Sequence, residues 1–404
     1  MTMTSFTRFL CKRLFKLSMP SPSGALRREG GGKAAAESLS RPVSYLPFSL
    51  LIAVVAIITG CAGTSVRDME SGESIKVLVL NGAKELSISG RRNTLHIKWV
   101  DNGSVSVNGS ETSLPVVYRP TDEFINLNGR PYRGMLTVEA SKGSLMVVNE
   151  VPLEAYIAGI INNEISSKWP KSAVMAQAVV ARTYAVYQKK RRASGAYHIE
   201  GTTMGQVYSG ASAEDAAAIA AVSATKGQIL VYNGEPALTV YHSNAGGMTE
   251  DSGDVWSSAY PYLASVESPY DESAPRYTWQ YSITTAAFKA ALNKAGYRLD
   301  EPVSVAPSAL SPSGRAKTVI ITDGQGSSVT LSGEDLRKTL GYGNIKSTMF
   351  KAELAADAFV FIGRGNGHGV GLSQWGAKGM ADAGYSYKEI LKHYYTGAQL
   401  IKVD

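Results

Sequence analysis

The hydrophobic period of the chain changes once, at Val151, and that change decides which folds are open to it. From Ile75 to about Val148, apolar residues alternate with polar ones. Leu86 and Ile88 alternate with Ser87 and Ser89, then Leu95, Ile97 and Trp99 with Thr94, His96 and Lys98, the period of a half-buried strand. Asn102-Gly103, Asn108-Gly109 and Asn128-Gly129 punctuate the alternation with turn signals. On this pattern His96 belongs to the polar, solvated face of its strand. Beyond Val151 the spacing turns helical: Pro152 suits a first turn, and Leu153, Tyr156, Ile157 and Ile160 recur on one face. That helix should stop near Asn162-Asn163. Pro170 then opens a longer one to about Lys190, whose alanines (Ala173, Ala176, Ala178, Ala181 and Ala185) permit close packing on one side.

Further on, Ser212-Ala-Glu-Asp215 has the form of a capping box opening a third helix that Gly227 closes. Residues 229–232 and 237–242, joined by Asn233-Gly234, predict a hairpin. A helix is expected over about 285–295, strands over 317–322 and 328–331 joined by Asp323-Gly-Gln-Gly, and another strand over 359–362. A glycine-rich loop and short helices then run to His393. Strands gather first and helices later, so the expected class is α+β, not a doubly wound α/β sheet.

The first 61 residues set the chain's charge. They carry eight of its 41 basic residues and two of its 34 acidic ones, leaving 33 basic against 32 acidic beyond them. The formal charge of +7 is therefore a property of the leader, and no basic patch remains to recommend nucleic acid as a partner. The apolar run from Tyr45 to Cys61 follows this basic stretch, is shorter than the ~20 residues a spanning helix needs, and ends in small residues, as a cleaved export signal does. Ile58-Thr59-Gly60-Cys61 is similar to the lipobox of bacterial lipoproteins, in which the cysteine is acylated and becomes the mature N-terminus. The alternative is an uncleaved anchor helix. Either way the rest of the chain is expected outside the cytoplasm, and Ala62 after the cysteine resembles outer-membrane sorting if the cell is Gram-negative. The leader is long enough for the true start to be downstream, for instance at Met19. The expected organisation is an export signal over 1–61, a small polar tether over 62–73, a β-rich part over 74–150 and a mixed helix/strand core over 151–404.

Among the acidic residues of the core, Glu164 has the best setting for acid chemistry. Cleaving a glycosidic bond requires an acid that is still protonated near neutral pH. Glu164 follows a predicted helix C-terminus, where the macrodipole disfavours another negative charge. Ile161, Ile165 and Trp169 offer apolar surroundings that act in the same direction. A structural alternative pairs Glu164 with Arg182 to join two helices, and residue chemistry alone leaves the two level. Glu154 stands in the first turn of its helix, where negative charge is favoured on electrostatic grounds alone.

Several long motifs resemble the SpoIID/LytB family in the family's own order. They are Val151-Pro-Leu-Glu-Ala-Tyr through Glu164 to Trp169-Pro, Ala176-Gln-Ala-Val-Val-Ala-Arg-Thr-Tyr184, Gln206-Val-Tyr-Ser-Gly210 and Tyr241-His-Ser-Asn-Ala-Gly-Gly-Met-Thr-Glu250. Gly367-His-Gly-Val-Gly-Leu-Ser-Gln-Trp-Gly-Ala377 and Ile390-Leu-Lys-His-Tyr-Tyr-Thr-Gly397 complete the set. The resemblance runs from about Ile75 to the C-terminus. It implies a SpoIID-like domain with a substrate groove and places Glu164 on the family's essential glutamate. It further implies lytic transglycosylase chemistry on glycan stripped of its stem peptides, in which one carboxyl serves as acid and then as base and no second carboxylate is required. Ordinary glycosidases use a pair.

By the same resemblance Arg182, Gln206, Tyr208, Tyr241, His242 and Ser243 contact substrate, and His368, Ser373 and Gln374 support the site from behind. Core packing is the alternative for the strand tyrosines. Some family members are amidase enhancers, so a glycan-binding module serving a cell-wall amidase is the second functional expectation, and a water-using hydrolase the third. No cofactor is expected. Some members hold zinc through Cys and His, but here the only cysteines are Cys11 and Cys61, and the five histidines (His96, His198, His242, His368, His393) are widely separated, so no metal is expected. The loop Gly363-Arg-Gly-Asn-Gly-His-Gly-Val-Gly371 fails the G-x-G-x-x-G spacing and has no G-K-[ST]. Ser373 lacks the Gly-x-Ser-x-Gly of a hydrolase elbow.

Overall fold

In the computed structural model the alternating segment forms ten strands, as its period requires. The structure describes residues 73–403 apart from 92, 101, 102, 121, 203 and 204, all within one unit spanning 61–404. The export signal, Met19, Cys61 and the tether up to residue 72 lie outside the described residues. The strands are β1 (Ser74–Ala83), β2 (Glu85–Ser89), β3 (Thr94–Trp99), β4 (Ser104–Val107), β5 (Ser110–Ser113), β6 (Val116–Tyr118), β7 (Ile125–Leu127), β8 (Arg130–Tyr132), β9 (Met135–Ser141) and β10 (Ser144–Pro152). Asn108-Gly109 and Asn128-Gly129 turn β4 into β5 and β7 into β8 with both residues at positive φ, the type I′ geometry. His96 is exposed on β3.

The chain then forms helix α1 (Leu153–Glu164) and helix α2 (Lys171–Arg191). Pro152 and Pro170 cap them from one position before the first turn. The short strand β11 (Ile199–Glu200) joins β1 in parallel, so one sheet has the order β11-β1-β10-β9-β6 and a second the order β5-β4-β3-β2-β7-β8. Both sheets and α1 share one hydrophobic core, including Ile88, Ile97, Val138, Val147, Tyr156 and Ile160.

Helix α2 is buried on two sides, not one. Ala178, Ala181 and Ala185 face that core, whereas Ala176, Val179 and Val180 face a second one. The alanine spacing marks a helix that is clasped between two layers. Helix α3 (Ala216–Ala224) starts later than expected: Asp215, not Ser212, is its cap and accepts the Ala218 N–H at 2.8 Å. Ser212 lies in a preceding 3-10 turn and donates to the Ser209 carbonyl.

The predicted 229–242 hairpin is only partly formed. Strand β12 (Gln228–Tyr232) turns through Asn233-Gly234 into the short β13 (Glu235–Pro236), and the chain then peels away. Residues 241–242, as β14 (Tyr241–His242), pair in parallel with 372–373 near the C-terminus. Strand β15 (Gly247–Met248) pairs with β16 (Glu267–Ser268).

Between Asp271 and Gly365 the chain builds a third core of its own, around Phe288, Val319, Ile321, Leu336, Phe359 and Phe361. It consists of β17 (Thr278–Thr284), helix α4 (Thr285–Lys294), β18 (Pro302–Leu310), β19 (Ala316–Asp323), β20 (Ser328–Ser332), helix α5 (Gly333–Leu340), β21 (Phe350–Ala355) and β22 (Ala358–Arg364), in two three-stranded sheets. The chain returns through β23 (Leu372–Ser373), helix α6 (Gln374–Asp382), helix α7 (Tyr387–Tyr394) and β24 (Gln399–Lys402). Strand β24 pairs with β12, and α6 and α7 complete the second core. The class is α+β with a β-rich N-terminal part, as the segregated pattern implied. No described helix is long and apolar enough to cross a membrane.

Candidate active site

Glu164 is the last residue of α1 and faces the segment 206–208. The turn after it is held by side chains. Asn162 accepts the Ser167 N–H at 2.9 Å and donates to Asp215 Oδ2 at 2.9 Å, which also takes the Ser167 hydroxyl at 2.6 Å. Asn163 donates to the Val207 carbonyl at 3.1 Å. These contacts fix both the glutamate and the backbone opposite it. The Val207 N–H donates to Glu164 Oε1 at 2.9 Å, and the Tyr241 hydroxyl and the Gln374 side chain also hydrogen-bond to the carboxylate.

A second layer holds the first. Tyr156 donates to Gln206 Oε1 at 3.0 Å, while Gln206 Nε2 donates to the Ala181 carbonyl at 3.3 Å and the Tyr241 hydroxyl at 3.4 Å. Burial pushes the Glu164 carboxyl above the usual carboxylate range, and the three hydrogen bonds oppose the shift without cancelling it. No carboxylate is among the groups that act most strongly on it.

Trp169, five residues after Glu164, packs its ring on Trp375 at 4.9 Å between centroids, and Trp375 follows Gln374 on α6. The backbone N–H of Trp375 donates to the Ser243 carbonyl at 3.0 Å. Beside Trp375 lies a cavity of about 330 Å³ lined by Ser243, Asn244, Pro275, Arg276, Asn366 and Trp375. A carboxyl pushed above its usual range beside an aromatic wall and neutral amides combines an acid with groups that can hold a polar ring.

Of the residues singled out in the sequence, Glu164, Gln206, Tyr241 and Gln374 converge, and Ser243 joins them across the aromatic pair. Gln374 touches the carboxylate itself instead of supporting it from behind. Gln206 is 1% exposed and braces Tyr241, so it does not present its amide to substrate.

Three further residues expected to contact substrate lie elsewhere. Arg182, 1% exposed, gives Nε and Nη2 to Glu154 at 2.8 and 2.6 Å, and Nη1 to the Gln228 carbonyl at 3.2 Å. It is neither a substrate contact nor the partner of Glu164. Tyr208 is buried in the first core, with its hydroxyl on Asn149 Oδ1 at 3.0 Å. His242 is buried with Nδ1 on the Val370 carbonyl at 3.1 Å and its ring 5.5 Å from that of His368. Desolvation holds both imidazoles below their usual range, His368 at about 4, which favours their neutral forms.

His368 Nδ1 accepts the Val370 N–H at 3.0 Å, shaping the glycine loop and not the carboxylate. Ser373 caps α6 through the Gly376 N–H at 3.1 Å and donates to Asp271 Oδ2 at 3.1 Å. Among the described residues no three His, Cys, Asp or Glu side chains gather as a metal site would require.

Sequence reasoning missed Trp375, Tyr156, Asp271 and Arg315. Asp271 Oδ2 accepts the Ala245 N–H at 2.6 Å and the Ser373 hydroxyl, joining the 243–250 loop to α6. Arg315, from the third-core module, donates to the Ala245 carbonyl at 2.6 Å and the Met248 carbonyl at 2.8 Å, holding the same loop from the other side. Tyr156 and Trp375 had a signal, since each lies inside a quoted motif. Asp271 and Arg315 had none, because the loop contacts they make are to backbone atoms far away in sequence.

The family model for SpoIID, stage II sporulation protein, matches residues 141–232, and a model for a domain of unknown function (DUF8618) matches 257–371. The first spans α1, Glu164 and the 206–208 segment, and the second spans the third-core module. An uncharacterized protein of Brachyspira hyodysenteriae is 33% identical over 71% of this chain and 76% of its own length. Stage II sporulation protein D of Bacillus subtilis is 33% identical over 67% of this chain and 83% of its own. The amidase enhancer of Bacillus subtilis is 31% identical over 60% of this chain, which covers 40% of that protein. On the strength of the shared domain and of relatives matched over most of their length, the chain belongs to the SpoIID/LytB family.

Proposed function

We propose that the chain cleaves peptidoglycan glycan strands by the lytic transglycosylase route, with Glu164 as general acid and then general base. Family membership and the amidase-enhancer relative support the coarser statement, a role at the cell wall. The observation that carries the finer one is the raised carboxyl of Glu164, held by Val207, Tyr241 and Gln374 with no carboxylate among the main groups acting on it. In this reading the protonated carboxyl gives its proton to the glycosidic oxygen as the bond from C1 of muramic acid breaks. The resulting carboxylate then takes the proton of the C6 hydroxyl as that oxygen bonds to C1. The 1,6-anhydro product forms, Glu164 is again protonated and no water is consumed.

Incubating the chain and its Glu164→Gln variant with stem-peptide-free glycan, followed by mass spectrometry, tests this. Anhydro ends, one water lighter than hydrolysis products and lost in the variant, are the expected result. Reducing ends would indicate hydrolysis. Binding by both proteins with cleavage by neither would favour the second reading, a glycan-binding module that enhances a cell-wall amidase, which the similarity to the amidase enhancer supports. Extracytoplasmic placement through a lipid on Cys61 belongs to the same proposal. Metabolic labelling with a fatty-acid probe, compared with Cys61→Ser, tests it.

A further inference from the structure

The cavity beside Trp375 carries a feature the cleavage chemistry does not use. One wall is Arg276, whose backbone carbonyl accepts from Asn244 at 3.4 Å, and two more cations stand around the neighbouring 365–367 segment. Lys346 belongs there because its carbonyl accepts the Gly367 N–H at 2.8 Å, one residue from the cavity-lining Asn366. Arg364 immediately precedes Gly365, whose N–H is bonded to the Tyr277 carbonyl next to Arg276.

Among the described residues, no carboxylate forms an ion pair with any of the three. Lys346 Nζ donates to the Gly343 carbonyl at 2.7 Å and Arg364 Nε contacts Met349 Sδ at 3.1 Å. Of the two acids on the same segment, Asp271 is buried against the Ala245 N–H and Ser373, and Glu272 is exposed to solvent and forms no ion pair with Arg276, Lys346 or Arg364. Partial desolvation, and then Arg276, holds the Lys346 ammonium below its ordinary range, as expected of cations gathered without a counter-charge. An uncompensated cationic rim on a cavity that otherwise offers a tryptophan, a serine and two asparagines fits a sugar carrying a carboxylate.

Resting on the proposed glycan function, we infer that this cavity is a subsite for a muramic acid residue whose free lactyl carboxylate is received by Arg276, with Lys346 and Arg364 supplying the surrounding positive field. Such a subsite would make the chain prefer stripped glycan. While a stem peptide is attached, the lactyl carboxyl is an amide and has no charge for the rim to receive. Hydrolysis of that amide creates the carboxylate, so the reaction that supplies this substrate is of the amidase class. The module carrying Lys346 and Arg364, built around the third core, would then be a specificity element attached to the cleavage domain.

The test measures binding to the full chain in a Glu164→Gln background, so that no turnover intervenes, by calorimetry with a muramic-acid-containing tetrasaccharide. Its arms are the free acid, its lactyl methyl ester, and the peptide-bearing form. The free acid should bind about tenfold more tightly than the ester, the loss expected from one charge-assisted hydrogen bond. Added Arg276→Gln should bring the acid down to the ester's affinity while leaving the ester unchanged, and Lys346→Met should act in the same direction. A folding defect would be visible as weaker binding of the ester too, and Arg276→Lys, which keeps the charge, should then restore most of the preference. Equal binding of acid and ester by the parent protein would overturn the subsite and leave the glycan groove standing. Peptide-bearing glycan that binds as tightly as the free acid would overturn it as well. Binding of none of the three would remove the groove and the subsite together.

Discussion

Two glutamates on α1 should respond in opposite ways to the same substitution. Glu154 accepts Arg182 Nε at 2.8 Å and Nη2 at 2.6 Å, and its Oε1 also takes the Gly227 N–H at 3.2 Å. Both side chains are buried, at 1% exposed for Arg182 and 9% for Glu154. Glu154→Gln keeps the shape but removes the charge and places an amide N–H against a guanidinium N–H. A buried charge left without its counter-ion costs about 3–5 kcal/mol, which in a folded part of this size corresponds to a drop in Tm of about 4–7 °C.

Glu164 is the reverse case. Its carboxyl is raised by burial, so the native state prefers it protonated, and the neutral amide of Glu164→Gln removes a cost. The favourable linkage is fully present below the unfolded carboxylate range, and it is lost as pH rises through the raised native value. The Glu164→Gln protein, having nothing to titrate at that position, should therefore gain on wild type as pH rises across that window. Thermal unfolding of the three proteins from pH 4 to pH 8 checks both claims. If Glu154→Gln melts with wild type, or if Glu164→Gln is the less stable of the two variants, the assignment of one glutamate to structure and the other to chemistry is wrong.

The same carboxyl sets a pH dependence of activity. Cleavage requires the protonated form, so the rate should fall as pH rises through the raised value, and a pH–rate profile with no descending limb would count against Glu164 as the acid. Tyr208→Phe removes the hydroxyl on Asn149 Oδ1 and leaves a buried acceptor unmet, at about 1–3 kcal/mol. Denaturant titration should show that loss, with glycan affinity unchanged. Arg315→Met withdraws two donors from the Ala245 and Met248 carbonyls. Amide hydrogen exchange in residues 243–250 should quicken, and unchanged exchange would show that the loop is held without it. Trp375→Ala removes the partner of Trp169 and should weaken binding of charged and uncharged glycans alike, which separates the aromatic wall from the cationic rim.

Elements whose signals are local were legible in the residues. The alternation before Val151 and the Asn-Gly pairs describe β2–β5 and the β7–β8 hairpin because strand period and type I′ turns depend on neighbours in sequence. Helices α1 and α2 follow from proline and apolar spacing for the same reason. Features that depend on remote partners were not legible. Residues 241–242 have the pattern of a hairpin arm, yet their hydrogen-bonding edge is taken by 372–373, more than a hundred residues away. Helix α5 was not among the expected elements, although Ser332, which caps it through the Asp335 N–H at 2.9 Å, and Leu336 and Leu340 mark it locally. At the site, Glu164, Tyr241 and Gln374 were reachable through motifs. The groups that hold the loop around them, Asp271 and Arg315, grip its main-chain atoms, and a main-chain partner leaves no mark on the sequence of the loop.

The partner of Arg182, by contrast, follows from helix geometry once the two helices are located. Glu164 is the nearer candidate along the chain, and a charge pair across a short turn is the simplest arrangement to expect. The connection between α1 and α2 is only six residues, 165–170, and such short links make neighbouring helices antiparallel. In an antiparallel pair, residues at equal distances from the turn stand level. Glu164 is at the turn, whereas Arg182 is eleven residues into α2, about 16 Å along its axis. The acid level with it must lie about as far back along α1. Glu154, ten residues before the end of that helix and so about 15 Å from it, fits this requirement. The same count takes Arg182 away from Glu164, and Lys171, the cation of α2 level with the turn, is exposed and is not among the groups that act most strongly on the carboxyl. Its carboxyl is thus left to desolvation, the condition an acid catalyst needs, and the buried ion pair and the raised carboxyl are two consequences of one helix hairpin.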